Sequence, residues 1–405
     1  MSCPARLLPP PVLLLLLAAC AGGGGAGPAG DLRPTGADIT AEDLSRRVHV
    51  LADDSLGGRR TGTEGARKAA AYIADELRRL GLEPAGGDGT YFQDIGFEGA
   101  DADRPAAAPA RNVVAVLRGR DPALAGQYVA IGAHSDHLGV ARRVVDHDSV
   151  RAYNRVMRPW GAESPRGTPT AEQAARIRAL LDSLRAARPG PRPDSIANGA
   201  DDDASGTAAV LEIAQALASL ADDARPRRSV LLVWHTGEEL GLLGARWFTE
   251  HPTVPRDSIV AMLNLDLVGR SDARVLAAGT PGRYVQLIGS RRRSTALGDL
   301  IEAVNREAGH GLFLDYQFDA PGHPVQYWCR SDHFMYARHG IPVTFFSTGG
   351  HQDYHQVTDE AQYLDYPHMT RVVRFVRDVA LRLANGDVRP APDVPAPDPD
   401  ARCVQ

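Results

Sequence analysis

"SVLLVWHTGEELGLLGARWFTEH", residues 229–251, decides the fold. Its first seven residues, Ser229–His235, are almost continuously apolar and of strand length. A strand exposed to water on one face alternates apolar with polar residues, and this one does not. It reads as a strand buried on both faces. Thr236 and Gly237 break it, two glutamates follow, and "GLLGARWFTEH" (241–251) reads as a short helix. A buried strand, a polar turn and a helix form half of a repeating βα unit.

The same pattern continues outward in both directions. "NVVAVLRG" (112–119), "QYVAIGA" (127–133), "IVAMLNLDLVG" (259–269) and "IPVTFFS" (341–347) are further apolar runs of strand length. Helical periodicity lies between and around them. "AEDLSRRVHVLADD" (41–54) opens the folded part as a helix. Ala66–Leu80 places Ile73, Leu77 and Leu80 on one face and stops at Gly81. Ser205–Leu220 carries the stripe Val210, Ile213, Leu217 and Leu220, and Thr295–Ala308 and Thr370–Ala384 are also helical. The expected fold is α/β: a mixed, mostly parallel central sheet with helices on both faces, filling one domain over residues 41–387.

Two stretches break the alternation. An Arg/Pro-rich insertion at about 141–197 contains the helical run "AEQAARIRALLDSLRAA" (171–187). A loop of that length inside a compact domain is usually functional or mobile, and the expectation is that it covers the site and restricts substrate length. The Pro/Asp-rich tail, 388–405, is expected to be disordered.

The chain has 405 residues and a formal charge of −5, with 45 Lys+Arg against 50 Asp+Glu. No basic excess points to nucleic acid or to an anionic membrane surface. At the N-terminus, Arg6 precedes the short apolar run "VLLLLLAA" and then Cys20. The run is too short to span a bilayer and reads as the core of a signal peptide, residues 1–19. "LAAC" (17–20) resembles the lipobox of bacterial lipoproteins, which implies cleavage before Cys20 and a lipid on it. The Gly-rich stretch 20–40 would then be a flexible tether holding the domain off a membrane. The expectation is an exported cell-envelope lipoprotein on a periplasm-facing anchor. Cys3 would leave with the signal. Cys403 lies in the tail, so no bridge from Cys329 to Cys403 is expected.

Potential chemistry gathers where the apolar runs end, the usual ligand edge of an open α/β sheet. "AHSDH" (133–137) offers His134 as a metal ligand and Asp136 as a partner for its far nitrogen. "NGADDDASGTAAV" (198–210) sets three like charges side by side. They suit either a helix N-terminus or a cation. Glu238 and Glu239 are adjacent and point differently, so one can bind metal while the other moves a proton. Both also read as acids at a helix start. Asp266 sits in the apolar run "AMLNLDLV", where an unpaired carboxylate would cost on the order of several kcal/mol. "HQDYHQVTDE" (351–360) adds His351 and His355.

Taken in order, "AHSDHLG", "NGADDDASGTAAVLEIA", "GEELGLLGA", "NLDLVGR" and "DYHQVTDE" closely resemble the M28 family of zinc peptidases. "DSLGGRRTGTEGARKAAAYIADELRRLGL" (54–82) and "RSDHFMYARHGIPVTFF" (330–346) look like further family segments, and the resemblance runs from about residue 45 to about 385. It implies zinc ligands at His134, Asp202, Glu239, Asp266 and His355, and two Zn2+ per chain. Asp202 is the implied bridge, because the family's bridging aspartate stands three before the Ser of Ser-Gly, here Ser205. A cis peptide bond between Asp202 and Asp203 is implied as well. Glu238 would be the general base and Asp136 the support of His134.

The implied function is a di-zinc exopeptidase acting on peptides, most simply an aminopeptidase that uses a zinc-activated water. A glutaminyl cyclase-like acyltransferase is an alternative, as is a carboxypeptidase or dipeptidase of the same fold. A non-catalytic binding lipoprotein would be expected to lack the base or a ligand, and neither is missing. The sequence leaves the oligomeric state open.

Overall fold

The computed structural model describes residues 34–101, 104–165, 167–186, 188–277, 282–395 and 402–405. The expected signal peptide, Cys20 and most of the tether lie outside the described residues.

The strands are β1 Glu83–Pro84, β2 Phe92–Asp94, β3 Gly99–Asp101, β4 Arg104–Pro105, β5 Arg111–Leu117, β6 Tyr128–His134, β7 Gly139–Asp146, β8 Pro193–Ala197, β9 Ser229–His235, β10 Ile259–Leu265, β11 Tyr284–Ile288, β12 Phe313–Asp315 and β13 Val343–Ser347. The α-helices are α1 Ala41–Leu51, α2 Glu64–Arg79, α3 His147–Met157, α4 Ala171–Ala186, α5 Gly206–Ala218, α6 Leu243–Glu250, α7 Ala273–Ala277, α8 Thr295–Glu307, α9 His333–Arg338 and α10 Tyr366–Asn385.

The central sheet runs β1-β5-β9-β6-β10-β13-β11-β12, with β2 also paired to β5. Its four middle strands, β9, β6, β10 and β13, are mutually parallel. β5 and β11 pair with them antiparallel on either side. Strand alternation divides the core in two. Val230, Leu232 and Trp234 of β9 pack with α1, α2, α5, α8 and α10. Leu231 and Val233 face the opposite side, against Phe248 of α6 and Phe334 and Tyr336 of α9. Every residue of β6, β9 and β10 is buried, as strands covered on both faces must be. Helix α5 is buried over most of its circumference, which its nearly all-apolar sequence permits.

A buried ionic knot joins three helices. Arg47 of α1 donates from Nε to Glu212 of α5 at 2.6 Å and from Nη1 to Glu76 of α2 at 2.8 Å.

The insertion is folded. β7 and β8 form an antiparallel ladder that begins it and ends it, and α3 and α4 pack on each other between them. The helical run seen in the sequence is α4. Helix α3 and the ladder were not anticipated.

Two expectations at the C-terminus are corrected. Cys329 and Cys403 form a disulfide, with Cα atoms 5.7 Å apart. The described parts of the tail are also held to the domain. Arg389 donates to the carbonyls of Asp257 and Ile259 at 2.6 and 2.7 Å. Asp393 accepts from the backbone N–H of Thr295 at 3.0 Å. The Gln405 side chain is 8 % exposed; it accepts from Trp328 N at 3.3 Å and donates to Ala320 O at 3.2 Å. Specific polar anchoring, which composition does not report, brings Cys403 back to the domain. Among the described residues, no helix is long and apolar enough to cross a membrane.

Candidate metal centre

Because β9, β6, β10 and β13 are parallel neighbours, their C-terminal ends share one edge of the sheet. His134 ends β6 opposite His235, the last residue of β9. The loop after β9 holds Glu238 and Glu239. Asp266 directly follows β10, and His355 lies in the loop after β13. Asp202 comes from the turn before α5. Gly199, at φ 55°, lets the chain enter that turn, since a Cβ there would lie 2.1 Å from Asp202 O. Gly206 is needed where the turn becomes helix: a Cβ would meet both carboxylate oxygens of Asp203 at 2.5 Å.

The five expected ligands meet around Asp202. Its Oδ1 lies 3.2 Å from His134 Nε2, which is also 3.7 Å from Asp266 Oδ1. Its Oδ2 lies 3.0 Å from His355 Nε2, which is 3.1 Å from Glu239 Oε2. One carboxylate is thus shared by two sets of donors. The Asp202–Asp203 peptide bond is cis. His355 has φ 57°, a left-handed backbone uncommon away from glycine and concentrated at functional sites.

The flanking aspartates do other work. Asp203 accepts from the backbone N–H of His134 at 3.2 Å and of Gly206 at 2.9 Å. Asp201 accepts from Gly269 N at 2.6 Å. The other histidine of the last motif, His351, faces Asp201 Oδ2 at 3.4 Å and not Asp202.

Asp136 supports His134 in two ways. His134 Nδ1 is 3.1 Å from the Asp136 carbonyl oxygen and 3.6 Å from its carboxylate. Ser331 donates to Asp266 Oδ2 at 2.7 Å, and Asn264 in turn donates to Ser331.

Four residues of the site were not picked out from the sequence. His137 Nδ1 is 2.7 Å from Glu239 Oε1, so a third imidazole borders the His355 side. Its place in "AHSDH" was visible, but spacing does not say which histidine turns inward. Asp359 accepts from the backbone N–H groups of Asp201 and Asp202, both at 3.1 Å. Arg59, fully buried, donates to the carbonyls of Ser135, Leu51, Asn198 and Gly199. Tyr354 stacks on His355 with ring centroids 3.9 Å apart.

The electrostatics are those of a site with excess negative charge. Burial opposes ionisation of Asp202, yet the His134 and His355 imidazoles beside its two oxygens hold it well below the usual carboxylate range. Burial likewise opposes charge on His355, but Asp202 and Glu239 push it up to about 10. Burial holds Glu238 well above the usual range, His134 opposing and Glu239 adding to the shift. Buried polar atoms that face charged neighbours at close range without a well-aligned hydrogen bond include His134 Nε2, Asp202 Oδ2 and Glu239 Oε1. Such atoms are costly unless something satisfies them. All three point into the cluster, and a mixed imidazole and carboxylate donor set suits zinc. The residues fit the metal the resemblance implies.

The insertion borders this centre. Arg151 of α3 pairs with Asp353 at 2.8 Å, and Arg158 donates to Tyr354 O at 3.2 Å, so α3 is docked on the loop carrying His355. A cavity of about 280 Å³ beside His355 is lined by Val140, Val145, Val150 and Val357 among others.

The sequence pattern of Peptidase family M28 matches residues 112–380, and the chain belongs to that family. Among curated relatives, the aminopeptidase NAALADL1 of Mus musculus is 40% identical over 95 residues, which is 23% of this chain and 13% of the relative. Among solved structures, the LapA aminopeptidase of Legionella pneumophila superposes with TM-score 0.56 at 18% identity, covering 86% of this chain and 72% of LapA. The glutaminyl cyclase of Porphyromonas gingivalis does so with TM-score 0.55 at 19% identity, covering 84% and 98%. At these identities the structural likeness is one of fold.

Proposed function

We propose that this chain is a di-zinc exopeptidase, and specifically an aminopeptidase that removes N-terminal residues from peptides. The observation that carries the reading is the division of Asp202 between two donor sets. His134, Asp202 and Asp266 would hold one ion, and Asp202, Glu239 and His355 the other. When bound, zinc polarises the scissile carbonyl and makes a water acidic enough to be a nucleophile at neutral pH.

Glu238 supplies the proton transfers. Its backbone N–H is fixed to Asp136 Oδ1 at 3.2 Å, and burial raises its carboxyl above the usual range, which makes its carboxylate a stronger base. A carboxylate oxygen of Glu238 takes a proton from the attacking water and returns it to the nitrogen of the leaving amine. Asp136 orients both His134 and the Glu238 backbone. Helix α3 and the β7–β8 ladder wall the His355 side, which favours a chain end over the middle of a long peptide. The aminopeptidase named among the relatives supports reading the amino end.

We also propose that the mature protein is a cell-envelope lipoprotein anchored through Cys20. The apolar run and "LAAC" support this, and the Cys329–Cys403 bridge suits an oxidising compartment.

The test of activity measures zinc content together with release of nitroaniline from aminoacyl-nitroanilides. Hydrolysis with two zincs bound is expected. Cyclisation of N-terminal glutaminyl peptides without amide hydrolysis would replace the reading with that of a cyclase. Trimming from the carboxyl end alone would replace it with a carboxypeptidase.

A further inference from the structure

Among the described residues, a third group of His, Asp and Glu is compact enough to hold a metal, and it shares no residue with the centre around Asp202. It consists of His147, Asp194 and Glu360, with ligand atoms all within 4.8 Å of one another. His147 opens α3, is 1 % exposed, and places Nδ1 2.8 Å from Asp194 Oδ2 on β8. Its other nitrogen, Nε2, lies 3.4 Å from the Tyr363 hydroxyl. Glu360 follows the loop that carries His355.

Asn198 joins the group from below. It is 1 % exposed, and its amide nitrogen donates to Asp54 Oδ1 at 2.7 Å and to Glu360 Oε1 at 3.2 Å. Its own Oδ1 is buried and has no hydrogen-bond partner. The group thus sets one imidazole against Asp194 and Glu360, and Asn198 ties Glu360 to exposed Asp54 at the solvent edge. Burial pushes Glu360 up to about 8; Asp194 and Asp54 add to this against the Asn198 hydrogen bond.

We propose that His147, Asp194 and Glu360 bind a divalent transition-metal ion of the zinc class, separate from the peptidase centre. An imidazole ligand argues against calcium or magnesium, which take oxygen donors. With the ion on Nδ1, His147 keeps Nε2–H to donate to Tyr363. Second-sphere contacts of this kind are usual for ligating histidines. The ion ties both ends of the insertion, at the β7–α3 junction and on β8, to the segment that follows His355. Its role is to fix the insertion against the peptidase centre.

The test counts zinc per folded chain after equilibration with Zn2+ and dialysis, in two backgrounds. One is the wild-type chain; the other is His134→Ala/His355→Ala, which disables the peptidase centre. Asp194→Asn/Glu360→Gln keeps size and removes charge, so circular dichroism is expected to be unchanged; if that pair unfolds, Glu360→Gln alone is read the same way. The expected result is the loss of one zinc per chain in both backgrounds, together with loss of the zinc-dependent rise in melting temperature that remains in the disabled background. An unchanged zinc count in both backgrounds would overturn the proposal and leave a His147–Asp194 ion pair. Because the disabled background carries the answer, this outcome is independent of how many ions the peptidase centre holds.

Discussion

Asp136 accepts a hydrogen bond from the backbone N–H of Glu238 at 3.2 Å. The same oxygen faces His134 Nδ1 at 3.6 Å, and the other accepts from Thr61 at 2.9 Å. One carboxylate thus links the proposed base to a proposed zinc ligand. Asp136→Asn keeps the shape and weakens both contacts, so zinc affinity or kcat is expected to fall about 10–100-fold, the usual effect of losing a ligand's supporting partner. Zinc titration and steady-state kinetics on the purified variant check this; wild-type values for both would remove Asp136 from the account.

Glu238 and Glu239 are adjacent, yet they are expected to fail differently. Glu238→Gln removes the base while leaving the ligands in place, so zinc stays bound and kcat falls by about 10²–10⁴-fold or more. Glu239→Gln removes a charged ligand that lies 3.1 Å from His355, so zinc is lost along with activity. Bound zinc and turnover, measured on both variants, separate the roles. Zinc loss in Glu238→Gln with full retention in Glu239→Gln would reverse them.

Arg47→Ala is expected to destabilise the fold by about 3–5 kcal/mol, because it leaves Glu212 buried without its partner. The Glu212 side chain is 0% exposed. Replacing both residues by apolar ones of similar volume is expected to cost much less. Urea unfolding of the single and double variants checks the contrast, which disappears if solvent already compensates Glu212.

The Cys329–Cys403 bridge closes a loop of 74 residues in sequence. Cys329→Ser/Cys403→Ser is expected to lower stability by about 2–5 kcal/mol and to leave kcat near the wild-type value, since neither cysteine is among the proposed ligands or the base. Thermal unfolding of the oxidised and reduced wild type should show the same loss. Equal melting temperatures with and without reductant would mean that the tail is held by Gln405 and Arg389 alone.

The chain announces its sheet because buried parallel strands leave long apolar runs. Ser229–His235 and Ile259–Leu265 could be read directly for that reason. The candidate ligands His134, Glu239, Asp266 and His355 were legible because each ends or follows such a run, and the family pattern selected Asp202 from three neighbours. Short elements that tertiary contacts hold in place were not legible. β12 has three residues and pairs only at the sheet edge, while α3 is set by its docking on Asp353. The Cys329–Cys403 pairing depends on anchors such as Gln405 that lie far apart in sequence. His137 was visible, but nothing in "AHSDH" tells which side chains point inward.

The central claim is that Asp202 bridges two zinc ions. Anomalous scattering at the zinc edge, from crystals of the zinc-loaded protein, tests it most directly. Two peaks are expected about 3.5–4 Å apart, one on each carboxylate oxygen of Asp202, with His134 and Asp266 at the first and Glu239 and His355 at the second. A single peak at Asp202 in fully loaded crystals would contradict it.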